Sequence, residues 1–210
     1  GKWHLGGEGK SLPDQHGFEE SFIFDASGAD NWEEKSYMPY YGEIPWYENG
    51  SRASLPEDFY SSKFIVDKKI QYLDQNRQQP FFSFLAFQAV HIPVQVSPEY
   101  RDRYEGIYSG GWERLREDRF QKAKKIGLIS EEAELVPQAA EFRSWSQLDE
   151  PEKHYYEQAM MANAGMLESM DAHIGRLISY LRETGRFDDT IFIITSDNGP
   201  EFNHPTSSAL

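Results

Sequence analysis

Three features of this 210-residue chain predict an α/β fold. Two short runs, Phe81-Phe82-Ser83-Phe84-Leu85-Ala86-Phe87 and Ile191-Phe192-Ile193-Ile194, are apolar at nearly every position, as strands covered on both faces are. A long stretch from about Glu152 to Thr184 repeats Met161, Ala164, Leu167, Met170, Ile174, Leu177 and Leu181 every three or four residues, the period of an amphipathic helix. With a second helix ahead of the first run, the order is helix, strand, helix, strand, which packs as a sheet with helices against it.

Residues 1 to about 58 are rich in Gly, Pro, Asp, Tyr and Trp and keep no period, so they read as loops with short strands such as Phe22-Ile23-Phe24. Ser61 or Ser62 can cap a helix running to about Asn76, with Phe64, Ile65, Ile70 and Leu73 on its inner side. Pro80 punctuates the entry to the first apolar run. From about 98 to 150 the pattern changes to a charged helical excursion in which Trp112, Leu115, Ala123 and Ile126 form a weak stripe and Gly127 is a stop. Gly185 ends the long helix, and Asp188-Asp189 turns into the strand expected over 190–195.

Composition narrows the function. A net charge of −14 argues against nucleic acid or an anionic membrane as a general partner. It also gives weight to each cation near a pocket that accepts an anion. No apolar stretch reaches the ~18 residues of a membrane span. Cysteine is absent, so no disulfide framework exists. The chain begins with Gly and stops soon after an expected strand end, so it is expected to be an internal piece of a longer polypeptide.

Three segments carry chemistry. Gly1-Lys2-Trp3-His4-Leu5-Gly6 puts a cation and an imidazole on a glycine-bounded loop. An ammonium can neutralise an oxyanion as charge develops, and an imidazole can move protons near neutral pH. Ala89-Val90-His91-Ile92-Pro93 follows the first apolar run, with Pro93 biasing Ile92 to extended geometry, so His91 leaves a strand end. A lone histidine there is also satisfied by a purely structural role. Thr195-Ser196-Asp197-Asn198-Gly199-Pro200 follows the second run. Asp197-Asn198-Gly199 reads equally as a turn or as two hard oxygen donors for Ca²⁺ or Mg²⁺. Ca²⁺ takes roughly 6–8 oxygens, so two residues cannot hold it alone. Asp188-Asp189 precedes its strand and belongs at the opposite sheet edge, while His154 and His173 read as helix-surface residues.

The GKWHLG segment, AVHIPV after FFSFLAFQ, and TIFIITSDNGP after the long helix, in that order, resemble the type I sulfatases of the alkaline-phosphatase superfamily. The similarity extends through Gly17-Phe18-Glu19-Glu20, Tyr60-Ser61-Ser62 and Met166-Leu167-Glu168-Ser169-Met170-Asp171, and the insertion from Tyr100 to Leu128 is similar to that of bacterial arylsulfatases. The resemblance implies an alkaline-phosphatase-like sheet flanked by helices, incomplete at both ends, with residues 1–210 a partial sulfatase catalytic domain. It implies that Lys2 binds sulfate oxygen, that His4 assists a formylglycine nucleophile, that His91 contacts sulfate and protonates the departing oxygen, and that Asp197 and Asn198 ligate Ca²⁺. The substrate it implies is a small-molecule or saccharide sulfate ester; localisation stays open, a periplasmic or secreted place being compatible with a bacterial sulfatase.

The departures are equally specific. The family's nucleophile motif is Cys or Ser, any residue, Pro, any residue, Arg. Ser11-Leu12-Pro13-Asp14-Gln15 comes nearest, but Gln15 replaces the Arg and the motif falls on the wrong side of GKWH. The chain alone is therefore expected to be inactive. Two alternatives stay open: a phosphodiesterase or phosphonate monoester hydrolase of the same superfamily, and a non-catalytic module that binds sulfated ligands.

Overall fold

Phe22-Ile23-Phe24 forms the short strand β1 (Phe22–Phe24), which pairs antiparallel with β2 (Trp46–Glu48), and β2 with β3 (Ser51–Arg52). The computed structural model describes residues 1–6, 10–39, 41–139 and 142–199. Trp46 is fully buried at the centre of this sheet, stacked on Phe22 with ring centroids 5.0 Å apart and edge-on to Phe59 at 5.1 Å. Phe24, Ala26, Ala29 and Ile44 complete that core.

Residues 1–3 add a further extended segment. The Phe24 N–H donates to Gly1 O at 3.1 Å and the Trp3 N–H to Phe24 O at 2.9 Å, in a parallel bridge, while the Lys2 N–H donates to Ala86 O at 2.7 Å on the other side. Lys2 is thus held in a ladder rather than on the loop expected for it. The approach needs glycine at position 1, because a Cβ there would lie 2.2 Å from Ala86 O.

Helix α1 (Ser61–Gln75) starts where the sequence predicts, but neither serine caps it. Tyr60 holds the cap position without a side-chain bond, and Ser61 and Ser62 are fully buried in the first turn, the Ser61 hydroxyl donating to the Asn31 side-chain oxygen. Val66 and Leu73 of α1 pack with Leu177 and Leu181 of α4 (Glu150–Glu183), and Phe81, Leu85 and Phe87 lie against this second core. Gly185 follows α4 at φ +68°, a left-handed stop that glycine accepts without strain.

Two expectations need correction. The run 81–87 is extended but takes no place in a named strand, and it is covered on one face only: Phe82 and Phe84 are 78% and 61% exposed. The segment 190–195 is likewise outside any ladder, with Ile191, Ile193 and Ile194 at 86–91% exposure. A strand exists only where neighbouring backbone accepts its hydrogen bonds, and apolar composition cannot report that neighbour. The stripe on α4 follows the expected one in part, with Met161, Leu177 and Leu181 buried. Met166, Ser169, Leu177 and Leu181 are buried, whereas Leu167 is exposed.

His173 proves half-buried rather than a surface residue; its Nδ1 accepts from Arg176 at 3.2 Å, and burial together with Arg176 holds its pKa below the usual value. Arg176 also pairs with Asp67 of α1, which Lys63 meets at 3.0 Å. Burial pushes the Asp67 carboxyl up, but Arg176 and Lys63 outweigh it and leave it below the ordinary range. A depressed carboxyl stabilises the fold above its unfolded pKa near 4, and the contribution fades as pH falls through the lower folded value. Asp67→Asn is expected to cost about 1 kcal/mol at pH 7, the upper end for partly exposed pairs. Urea denaturation at pH 7 and pH 3 should show that difference shrinking at the acid end.

The chain divides into two units, Gly1–Val96 with Met166–Leu210, and Ser97–Gly165. The second holds α2 (Pro98–Arg101), α3 (Gly111–Lys125) and the first part of α4. Its aromatic centre is Trp112, edge-on to both Trp145 and Tyr156 at 5.1 and 5.5 Å. Arg143 clamps Glu152 through two bonds of 2.7 and 2.8 Å, and Ser144 with Gln147 forms a capping box ahead of α4.

Candidate active site

The end of β1 gathers three loops. Residues 4–6 leave the bridge beside it, residues 25–31 continue from it, and residues 88–95 follow the extended run 81–87. Buried amides tie the second and third loops together. The Gln88 side chain, 2% exposed, accepts from the Ala29 N–H at 3.0 Å and donates to Ala29 O at 2.6 Å. The Gln95 side chain accepts from the Asn31 N–H at 2.9 Å and donates to Asp30 at 2.7 Å, and fully buried Asn31 donates to Pro93 O at 3.3 Å.

His91 sits within this frame. Its backbone N–H donates to Gln88 O at 2.8 Å. Its Nδ1 lies 2.8 Å from Ile92 O, and because a carbonyl only accepts, Nδ1 carries a proton. Nε2 faces the Ser27 hydroxyl at 3.1 Å. In the neutral ring Nε2 is therefore the basic nitrogen, able to take up and later release a proton.

His4 stands at φ +51°, a left-handed conformation that non-glycine residues seldom adopt, with Nε2 3.4 Å from the Tyr41 hydroxyl. The Gly6 N–H donates to Asp25 Oδ1 at 3.3 Å, tying the loop after His4 to the end of β1. Lys2 thus bridges Phe24 at the end of β1, the loop after His4 is tied to Asp25 there, and the His91 ring meets Ser27 three residues further along.

Asp197 and Asn198 lie on the exposed segment 190–199. The Asn198 N–H donates to Asp197 Oδ1 at 3.0 Å, and the Asn198 side chain donates to Gly199 O at 2.6 Å. Their oxygens have the right chemistry for Ca²⁺ or Mg²⁺, but they are two donors of the roughly 6–8 that Ca²⁺ takes. Among the described residues no group of three or more His, Cys, Asp or Glu gathers to complete the shell. Asp188 and Asp189 are exposed in the turn after α4. Pro200 lies outside the described residues.

Ser11 belongs to the segment nearest the family's nucleophile motif, in which Gln15 stands in place of the Arg. It stands at φ +73° with its hydroxyl 2.6 Å from His16 Nε2, and Trp3 Nε1 donates to its carbonyl at 2.8 Å. A cavity of about 410 Å³ lies beside His16, Trp3, Phe18, Lys69, Phe81 and Phe82, and none of Lys2, His4, His91, Asp197 or Asn198 lines it.

Sequence reasoning missed Asp25, Ser27, Asn31, Gln88 and Gln95. Asp25 presents a buried Oδ2 without a hydrogen-bond partner at the end of β1. The one readable signal was Gln88, an amide closing an apolar run, where a polar side chain must find a buried partner.

Residues 1–209 match the family model described as Sulfatase. The chain is 36% identical over 211 residues to an uncharacterized sulfatase of Schizosaccharomyces pombe, covering 96% of this chain and 38% of that protein. It is 31% identical over 207 residues to an arylsulfatase of Klebsiella aerogenes, covering 95% of this chain and 43% of that protein. Among solved structures, Ps i-CgsB in complex with k-i-k-neocarrahexaose is similar over 90% of this chain and 34% of its own, with a TM-score of 0.54 at 19% identity. The chain spans about two fifths of the length of the curated relatives it matches.

Proposed function

Because this chain belongs to the sulfatase family, with its alkaline-phosphatase-like α/β fold, we propose that the protein it forms part of hydrolyses a sulfate ester, arylsulfate-like or on a sugar. The observation that carries this reading is the gathering of Lys2, His4 and His91 around one end of β1. Lys2 binds a sulfate oxygen and offsets the negative charge that grows there as the ester bond breaks. His91, when protonated on both ring nitrogens, delivers the Nε2 proton to the departing alcohol oxygen and returns to the neutral ring, with Ile92 O still holding Nδ1–H. His4 takes up the proton released at the nucleophile's side of the sulfate.

The nucleophile itself, a formylglycine in the family this chain resembles, finds no fitting residue among these 210, so the chain alone is expected to be inactive. Asp197 and Asn198 would hold a Ca²⁺ or Mg²⁺ ion through their side-chain oxygens, with the remaining donors contributed from outside the chain. A bound divalent cation would supply positive charge to the sulfate oxygens.

The test is a parallel assay of the full-length protein on an aryl sulfate and an aryl phosphodiester. The proposal expects the sulfate to be turned over with the higher kcat/KM. Preference for the phosphodiester would assign the chain to the phosphodiesterase branch, and binding of sulfated sugars without turnover of either ester would make it a non-catalytic module.

A further inference from the structure

Gly1 is hydrogen-bonded as a strand residue. Its nitrogen donates to Phe22 O, its carbonyl accepts from the Phe24 N–H, and the Trp3 N–H donates to Phe24 O. That sequence of bonds is a parallel ladder against β1. On the other side the Lys2 N–H donates to Ala86 O, so residues 1–3 run between β1 and the extended run 81–87. Burial pulls the Gly1 ammonium pKa down to about 4, so at pH 7 an uncharged nitrogen stands where a peptide N–H would. Behind Gly1, between the same two neighbours, lies the cavity of about 410 Å³. Ser21 and Phe22 line one side of it, and Phe82, Ser83 and Phe84 the other. The Ser21 and Ser83 hydroxyls are buried with no hydrogen-bond partner among the described residues, while the Phe82 and Phe84 rings are exposed.

We propose that this slot seats the stretch of the full-length protein directly ahead of Gly1, entering as a parallel strand between β1 and the run 81–87. The curated relatives have chain to supply it, since this chain spans 38% and 43% of two of them. The spacing selects a strand. On either side of residues 1–3 the neighbour is one ladder away, about 4.8 Å, and a helix about 10 Å wide would force them apart. The register follows from the bonds already made. The cavity reaches from Gly1 toward Phe82 and not toward Gln88, so the run 81–87 lies parallel to the incoming strand. The amide just ahead of Gly1 then meets Phe84 O, two places back from Ala86, and the next amide meets Glu20 O, two places back from Phe22. A parallel strand with neighbours on both sides is apolar at nearly every position, and that is the composition expected of the stretch. Lys2 and His4 thereby leave the end of an inner strand, whose seating fixes where their backbone emerges.

The inference is independent of which ester is cleaved, and its test reads no turnover. Hydrogen exchange of the full-length protein, followed by mass spectrometry, is the first measurement. The few amides directly ahead of Gly1 are expected to exchange at least about 10³-fold more slowly than an open chain, as core strands do. Gly1→Ala sets a methyl against Ala86 O and should speed exchange of that stretch about tenfold while β2 keeps its rate. Thiol labelling is the second measurement, with Ser51→Cys on exposed β3 as the control. The thiol of Phe84→Cys should react at least about 100-fold more slowly than the control, because the seated strand shields it. Open-chain exchange ahead of Gly1 would overturn the proposal, and combined with a shielded Phe84→Cys it would give the slot to another part of the protein or to a second copy. Free labelling of Phe84→Cys in the folded protein, or unchanged exchange of the stretch in folded Gly1→Ala, would overturn it as well. Exchange in the parent protein decides the matter even where a variant fails to fold.

Discussion

Replacing His91 by alanine in the full-length protein is expected to slow aryl sulfate turnover by about 10²–10⁴-fold, the contribution of a positioned proton donor. The geometry supports a loss of this size. Ile92 O holds Nδ1–H and the Gln88 carbonyl holds the backbone N–H, so the ring is oriented before substrate arrives. The loss should depend on the leaving group. A nitrophenolate departs with little help from a proton, so its sulfate should suffer least, while an alkyl or sugar sulfate should fall furthest. Steady-state kcat/KM on both substrate types checks this. A loss within about threefold on each would amount to less than 1 kcal/mol and would remove His91 from the mechanism.

Gln88→Leu is expected to destabilise the fold by about 2–6 kcal/mol, from about 1–3 for each of two buried backbone groups left without partners. The leucine roughly keeps the volume, so the cost isolates the two bonds to Ala29 rather than a cavity. Denaturant unfolding of parent and variant measures it, and a change below about 0.5 kcal/mol, the size of an ordinary surface substitution, would show that the amide pair does not hold the two loops together.

The helices were readable because their signals are local. The spacing in α1 and α4 and the glycine after α4 lie within a few residues of what they determine. On α4 Met161, Leu177 and Leu181 are buried as their spacing predicts, but Met166 is buried in place of Leu167, its sulfur meeting the Gln95 N–H, a partner that periodicity does not reveal. The strands were less legible. The runs 81–87 and 190–195 have strand composition, but a ladder depends on partners far away in sequence, and Lys2 joined one that no local pattern announces. In the site, His4 and His91 stood out by residue type and motif, whereas Asp25, Ser27 and Gln95 carry ordinary polar side chains. Their significance comes from burial against a loop some 60 residues away for Ser27 and Gln95, and beside Gly6 for Asp25.

The arrangement as a whole is tested most directly by a crystal structure of the full-length protein with inorganic sulfate and Ca²⁺. Lys2 Nζ and His91 Nε2 should each lie within hydrogen-bond reach, about 2.7–3.2 Å, of one sulfate ion. An Asp197 oxygen should sit about 2.3–2.6 Å from a cation touching that same ion. Sulfate bound elsewhere, with the two imidazoles and the Asp197 carboxylate opening onto separate faces, would contradict the account.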